Sequence, residues 1–124
     1  MKANPEKAAE FFAVILHSAT IGHMLHLQTK SFAVHMALDT FYSEMPGLVD
    51  TLIECYQGCY GIVTDYPFEK GIRMPKDPVK FISGLQDYVV KNRAAISDES
   101  QHQNLIDEIA QLIDQTKYKL ENLS

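Results

Sequence analysis

The chain has 124 residues, of which 46% are hydrophobic and 22% are charged, as expected of one globular domain over residues 1–124. Its formal net charge of −5 disfavours DNA or RNA as a partner, because phosphate binding needs a basic surface. Its uninterrupted apolar runs are shorter than the roughly 18 residues of a membrane span, so we expect the chain not to cross or bind a membrane. The two cysteines are too few for a disulfide framework, which favours a reducing compartment such as the cytoplasm.

The first half of the chain predicts two helices joined by a short polar link. Apolar residues recur three or four apart after Pro5, which indicates a first helix over residues 6–27. A second periodic stretch runs from Phe32 to Tyr56 and contains Pro46. Proline removes a hydrogen bond inside a helix, so this stretch is either one kinked helix or two helices, with Ser43 capping the second.

The second half predicts a long connection and then a second helical hairpin. Residues 57–76 are rich in glycine and proline. About 20 extended residues reach about 66 Å, more than the roughly 38 Å of a 25-residue helix, so the connection can run the length of a bundle. The third helix begins at Asp77-Pro78 and ends near Ala94, and Ser97 is a candidate cap for the fourth. Two hairpins joined by a long crossover predict an all-α, ferritin-like four-helix bundle.

The second helix carries an unusual polar pattern. His35 and Asp39 lie one turn apart, and so do Asp50 and Glu54. All four fall within roughly one-third of the helix circumference. We expect this face to pack against neighbours, where carboxylates are costly unless they are paired or bind metal.

The separation of the two pairs predicts a site shared between two chains. Asp39 and Asp50 are eleven residues apart, about 16 Å along a helix, so the pairs cannot share one ion within a chain. They can share one if two copies of the helix lie antiparallel across a two-fold axis near Glu44 and Met45. Isologous pairing then produces two equivalent sites in each homodimer.

A second histidine can complete each site from the end of the first helix. His26 and His23 are the two candidates. Imidazole together with carboxylates suits iron, zinc or manganese. The sequence therefore predicts a metal-binding homo-oligomer.

The motifs in this region resemble those of the miniferritins, the DNA-protection-during-starvation (Dps) proteins of the ferritin-like superfamily. The matching segments are His26 to Phe32, His35-Met-Ala-Leu-Asp39 and Asp50-Thr-Leu-Ile-Glu54. The resemblance implies a mono-iron or di-iron site between two-fold-related subunits, a ferroxidase activity with peroxide or oxygen as oxidant, and possible assembly into a larger shell. The ligands that it implies are His26, His35, Asp39, Asp50 and Glu54, with His23 as the alternative to His26.

The sequence also departs from that family. The link between His26 and His35 is three residues shorter than in the family, whereas His23 keeps the family interval of twelve residues to His35. Pro46 interrupts the second helix, and the chain is short for a twelve-subunit shell. The segment from His102 to the end resembles uncharacterised phage-encoded ferritin-like proteins, which implies the cytoplasm of a bacterial host.

The same residues have a simpler interpretation. The histidines and acids can form an interhelical polar network with Lys30 or Arg73, in a non-catalytic structural or interaction protein of the same fold. His17 is expected at the surface or as a filler of the core, and His102 is expected at the surface. Cys55 and Cys59 are expected to be buried free cysteines. The aromatic residues Phe11, Phe12, Phe41, Tyr42, Tyr56 and Tyr60 are expected to pack the core or a dimer face.

Overall fold

The computed structural model describes residues 3–67 and 74–124, and every regular element within those ranges is helical. The four long helices are α1 (Pro5–Gln28), α2 (Phe32–Tyr60), α3 (Pro78–Asn92) and α4 (Ser100–Asn122). A short 3₁₀ turn, Arg93–Ala95, follows α3. The predicted all-α four-helix bundle is confirmed.

Side-chain caps explain where three of the helices begin. Asn4, Ser31 and Asp77 each accept a hydrogen bond from a backbone N–H in the first turn of the following helix. The fourth helix differs from the prediction, because α4 begins at Ser100 with Glu99 at the cap position. The Ser97 side chain still accepts the N–H of Glu99, at 3.0 Å, so it holds the approach to α4 without capping the helix itself.

Pro46 lies inside one continuous helix. The structure runs unbroken from Phe32 to Tyr60, so the alternative of two helices with Ser43 as a second cap is wrong. Because proline has no N–H, the carbonyl of Tyr42, four residues earlier, loses its usual helical hydrogen bond. The residues on both sides nevertheless pack into the core, which holds the helix together across this position.

Three contacts between helix ends establish the topology. They are His26 with His35, Tyr60 with Ser97, and Arg93 with Gln103. The end of α1 therefore meets the start of α2, and the ends of both α2 and α3 meet the start of α4. Helices α2 and α3 are parallel, so α3 begins at the opposite end of the bundle from the end of α2, as the crossover prediction requires.

The core fills the space between the four helices. Its largest fully buried side chains are Tyr56, Phe11, Phe12, Phe41, Ile15, Leu25, Leu38, Met45, Leu52, Ile82, Ile96 and Ile106. By length and composition alone α1 could also cross a bilayer, but 56% of its most apolar 18-residue stretch is buried inside the bundle.

Helices α1 and α2 lie close together at Gly22. A Cβ at this position would lie 2.8 and 2.9 Å from two ring atoms of Phe41. Only glycine leaves room for that ring, so the sequence sets the spacing of the hairpin here. Tyr42 follows Phe41 directly, and the close approach therefore places it beside the histidines at the end of α1.

Candidate functional site

His26 and His35 bind each other at the end of the α1–α2 hairpin. Nδ1 of His26 lies 2.6 Å from the carbonyl oxygen of His35, and Nδ1 of His35 lies 2.9 Å from the carbonyl oxygen of His26. A carbonyl oxygen only accepts hydrogen bonds, so both Nδ1 atoms carry a proton and donate. In each neutral ring the lone pair is then on Nε2, which has no hydrogen-bond partner among the described residues. We call these two residues the histidine clasp.

The two rings of the histidine clasp are stacked. Their centroids are 3.6 Å apart and their planes differ by 19°. The lone pair of an imidazole nitrogen lies in the ring plane, so the two Nε2 lone pairs lie in nearly parallel planes. One ion can accept both of them only after one ring turns.

Tyr42 connects the candidate ligands around the histidine clasp. Its hydroxyl donates a hydrogen bond to Oδ1 of Asp39, at 3.0 Å, and its ring stacks on His23 with centroids 4.0 Å apart. The hydrogen bond to Asp39 is the main cause that raises the pKa of Tyr42. His23 is exposed, whereas His26 is 6% exposed, so the two alternative histidines lie side by side in different surroundings.

Asp50 and Glu54 lie together on the outer surface of α2. Both side chains are exposed, so these two residues do not pack within the chain, and packing of this face against a second copy stays a prediction. The core stripe of α2 occupies the opposite arc of the helix, which includes Val49 and Leu52. A hydrogen bond with Asp50, followed by the negative charge of Asp50, raises the pKa of Glu54. Asp50 is therefore close enough to Glu54 to disfavour the charged form of that carboxyl group.

The five predicted ligands form two groups in one chain. His26, His35 and Asp39 lie near the hairpin, while Asp50 and Glu54 lie about 16 Å further along α2. Within residues 3–67 and 74–124, no three histidine, cysteine, aspartate or glutamate side chains converge closely enough to hold a metal ion. A complete site needs ligands from elsewhere, and the two-fold arrangement stays a prediction.

The opposite end of the bundle contains a polar cluster that was not predicted. His102 is 1% exposed, so the expectation that it lies at the surface is wrong. Its Nε2 lies 3.3 Å from the carbonyl oxygen of Cys55 and its Nδ1 lies 2.8 Å from Oγ of Ser97, which also bonds the Tyr60 hydroxyl. The spacing of His102 from Ile106 places it on the buried stripe of α4, and this spacing could have revealed its burial.

Several smaller predictions also have outcomes. Cys55 and Cys59 are both exposed, so the expectation of buried cysteines is wrong. They lie beside the stripe that buries Leu52 and Tyr56 and do not share its burial. His17 is exposed, so of its two expected positions the surface is the one that the structure shows.

Of the two cations expected in the polar network, only Lys30 lies in the part of the chain that the structure describes. Arg73 lies outside the described residues. Lys30 is exposed, and the hydrogen bonds of the candidate ligands go to backbone carbonyls, to Tyr42 and between Asp50 and Glu54. Tyr42 was expected to pack the core or a dimer face, and its contacts with Asp39 and His23 were not predicted. Its position three residues after Asp39 places it one turn from that carboxylate and could have revealed the contact.

Comparison with known proteins gives a family. Residues 26–120 match the model of a family of unknown function, DUF5856. The chain is also 31% identical over 116 residues to the "uncharacterized 14.6 kDa protein in mobD-ri intergenic region" of Enterobacteria phage T4, covering 94% of this chain and 89% of the phage protein. No solved structure matches the chain. Neither description names an activity or a ferritin, so the resemblance to miniferritins gains no support from them. The chain belongs to DUF5856.

Proposed function

We propose that two copies of this chain pair through the outer faces of α2 and bind ferrous iron at two equivalent sites between them. The observation that carries this proposal is the hydrogen bonding of the histidine clasp. Metal-binding histidines almost always donate their other ring N–H to a carbonyl or a carboxylate, which fixes the ring and its tautomer. His26 and His35 both do so, and both leave Nε2 for an ion.

The exposed acids supply the other half of each proposed site. Asp50 and Glu54 face outward, and a cation held by both carboxylates would offset the repulsion between their negative charges. An antiparallel α2 pair brings them to the partner's clasp, where their negative charge complements the imidazoles and a metal. Carboxylates hold a hard cation, and the histidines select transition metals such as iron, zinc or manganese over calcium and magnesium.

Iron is the substrate of this proposed reaction. Each ferrous ion loses one electron to the oxidant, so one hydrogen peroxide molecule oxidises two ions, takes up two protons from solvent and is reduced to two water molecules. The residues of the chain bind the ferrous ion, keep competing ligands away and stabilise the additional positive charge of the ferric product. Asp39, Asp50 and Glu54 favour the ferric product because carboxylates stabilise the higher charge.

The test is aerobic oxidation of ferrous iron, followed by absorbance. The native chain, His35→Ala and His17→Ala are compared, since His17 is an exposed histidine of α1 outside the proposed site. We expect rapid oxidation by the native chain and His17→Ala, and background rates with His35→Ala. Equal rates for all three proteins would contradict the ferroxidase proposal.

A second function is favoured by the clasp itself. The reciprocal hydrogen bonds tie the end of α1 to the start of α2, and stacked rings cannot bind one ion together without rearrangement. The chain would then be a non-catalytic structural or interaction protein. Sedimentation of the native chain separates the two functions. A ferroxidase of the proposed kind is a dimer or a larger shell, and its His35→Ala variant stays assembled but inactive. A native chain that sediments as a monomer leaves only the second function.

The similarity to the phage T4 protein supports a proposal for the cellular location of the chain. We infer that this chain is phage-encoded and works in the cytoplasm of the bacterial host. Its two free cysteines agree with a reducing compartment.

A further inference from the structure

Among the described residues, the two most exposed large apolar side chains lie at opposite ends of α2. Ile62 is 79% exposed and follows the last turn of the helix, whereas Phe32 is 76% exposed and opens its first turn. The 29 residues of α2 separate the two by about 43 Å. They cannot touch within one chain, so only another molecule can cover either of them.

Phe32 belongs to an apolar groove between the start of α2 and the end of α4. The groove has a volume of about 320 Å³, and its lining includes Phe32, Met36, Lys119 and Leu123. Met36 and Leu123 are each nearly half exposed, so the exposed apolar surface here is on the order of 300 Å². Apolar patches of this size on a monomer are often binding surfaces. Lys119 is the charged residue of the lining, and it forms no ion pair within the part of the chain that the structure describes.

Ile62 borders a cavity of the opposite charge at the other end of the bundle. This cavity, of about 230 Å³, lies between the first turns of α1 and the segment after α2, and Glu6, Glu10 and Asp65 are its charged lining residues. These three carboxylates form no ion pair within residues 3–67 and 74–124. One end therefore presents an apolar side chain beside a lysine, and the other end presents an apolar side chain beside acids.

We propose that these two ends bind each other in neighbouring copies of the chain, with the Phe32 groove of one copy on the Ile62 cavity of the next. Lys119 then faces the three carboxylates, which makes the contact electrostatically complementary. Because the two surfaces differ, a joined pair still has one free groove and one free cavity, and association continues to a ring or a filament. Ala33, in the groove, lies about 100° around α2 from Asp50. The contact therefore does not use the acid pair of α2, and it does not rest on the proposed iron function.

The size of the two surfaces determines the expected strength of this contact. A standard stable interface buries about 800 Å² on each partner, more than twice the roughly 300 Å² of exposed apolar surface in the groove. We therefore expect a weak association that increases with protein concentration. Added salt should weaken it further, because the charges lie beside solvent.

The experiment is carbodiimide cross-linking of the full chain at increasing concentration, followed by mass spectrometry of the peptides. This reagent joins an amine to a carboxylate only where the two are in contact. We expect links from Lys119 to Glu6, Glu10 or Asp65. Such a link must join two copies, because these residues lie at opposite ends of one chain.

Two serine variants test the apolar side chains. Phe32→Ser and Ile62→Ser should each lower the yield of these links about tenfold, since each removes one large exposed side chain from the contact. Lys91→Glu, at an exposed lysine of α3 outside both surfaces, should cross-link like the native chain. Circular dichroism confirms that the variants are folded.

A mixture of the two serine variants tests the direction of the contact. Each variant keeps one intact end, so with one variant isotopically labelled we expect Lys119 of the Ile62→Ser chain linked to the carboxylates of the Phe32→Ser chain, and not the reverse. Glu54→Ala should cross-link like the native chain, which keeps this test distinct from that of the iron site. The proposal is overturned if the native chain gives no such link, if the links persist in both serine variants, or if the mixture forms them in both directions.

Discussion

The two ends of the bundle hold histidines in opposite hydrogen-bonding states. At the hairpin end, His26 and His35 donate from Nδ1 to backbone carbonyls and leave Nε2 without a partner among the described residues. At the other end, the Cys55 carbonyl accepts from Nε2 of His102, so in the neutral ring Nδ1 accepts from the Ser97 hydroxyl. Both nitrogens of His102 are therefore occupied.

This difference separates a candidate ligand from a structural histidine. His102 is more completely buried than His35, and an ion could reach its nitrogens only by breaking two hydrogen bonds. The histidine clasp keeps a nitrogen available after its structural hydrogen bonds are made. Whether both ring nitrogens are hydrogen-bonded therefore separates a structural histidine from a candidate ligand better than burial alone does.

The largest expected effect on stability is at the end that contains His102. His102→Ala removes a buried ring and leaves the Ser97 hydroxyl and a backbone carbonyl without their partner. We expect a loss of about 2–4 kcal/mol in the free energy of unfolding, measured by urea denaturation. His35→Ala should cost about 1 kcal/mol, because the ring is partly exposed and loses one hydrogen bond. Equal losses for the two variants would contradict the distinction between the ends.

A second prediction concerns the close approach that positions the hairpin end. Gly22→Ala places a methyl group against the ring of Phe41 and should cost about 1–3 kcal/mol. Gly84→Ala is the matched control, because a Cβ there meets nothing within 4 Å and alanine favours a helix. The control should gain about 0.5–1 kcal/mol in thermal or urea unfolding. A neutral Gly22→Ala would show that α1 and α2 can separate at little cost.

A third prediction tests Tyr42 as a positioning residue for Asp39. Tyr42→Phe keeps the ring that stacks on His23 but removes the hydroxyl that holds Asp39. Loss of an outer-sphere hydrogen bond should weaken metal binding about tenfold in a calorimetric titration with zinc. Tyr118→Phe, at an exposed position of α4, should bind zinc like the native chain. An unchanged affinity for both variants would remove Tyr42 from the site.

The smallest expected effect is on the acid pair of α2. Asp50→Asn removes the negative charge and changes the hydrogen bond that raise the pKa of Glu54, so this pKa should fall towards its usual value. The shift is followed by NMR of the Glu54 side-chain carboxyl carbon during a pH titration. Because both groups are exposed, added salt should reduce the difference between the native chain and the variant. A Glu54 pKa that stays raised in the variant would show that Asp50 is not its cause.

The sequence predicted the bundle because its local signals agree with one another. Asp77 caps the third helix as predicted, and the long glycine- and proline-rich connection led to the crossover. Pro46 was ambiguous because a proline is tolerated in a helix whose flanking residues are buried. Burial of the residues on both sides of Pro46, which is a tertiary effect, keeps α2 one continuous helix.

The candidate site was predictable only in part. Spacing placed His35 near Asp39 and Asp50 near Glu54, since neighbours one turn apart follow from helix geometry alone. The reciprocal bonds of the histidine clasp depend on the register between α1 and α2, which spacing within one helix does not specify. The exposure of Cys55 and Cys59 was missed for a similar reason, because it depends on where α4 begins relative to the end of α2.

The most direct test of the central claim mixes two inactive variants. His35→Ala lacks a ligand in one half of the proposed site and Glu54→Ala lacks one in the other half. If each site combines the histidines of one chain with the acids of its partner, mixed dimers contain one intact site. An equimolar mixture, unfolded and refolded together, should then recover about one quarter of native ferrous-iron oxidation, because half of its dimers are mixed and each has one of two sites intact. A mixture as inactive as its separate components, while the native chain remains active, would contradict a site shared between two copies.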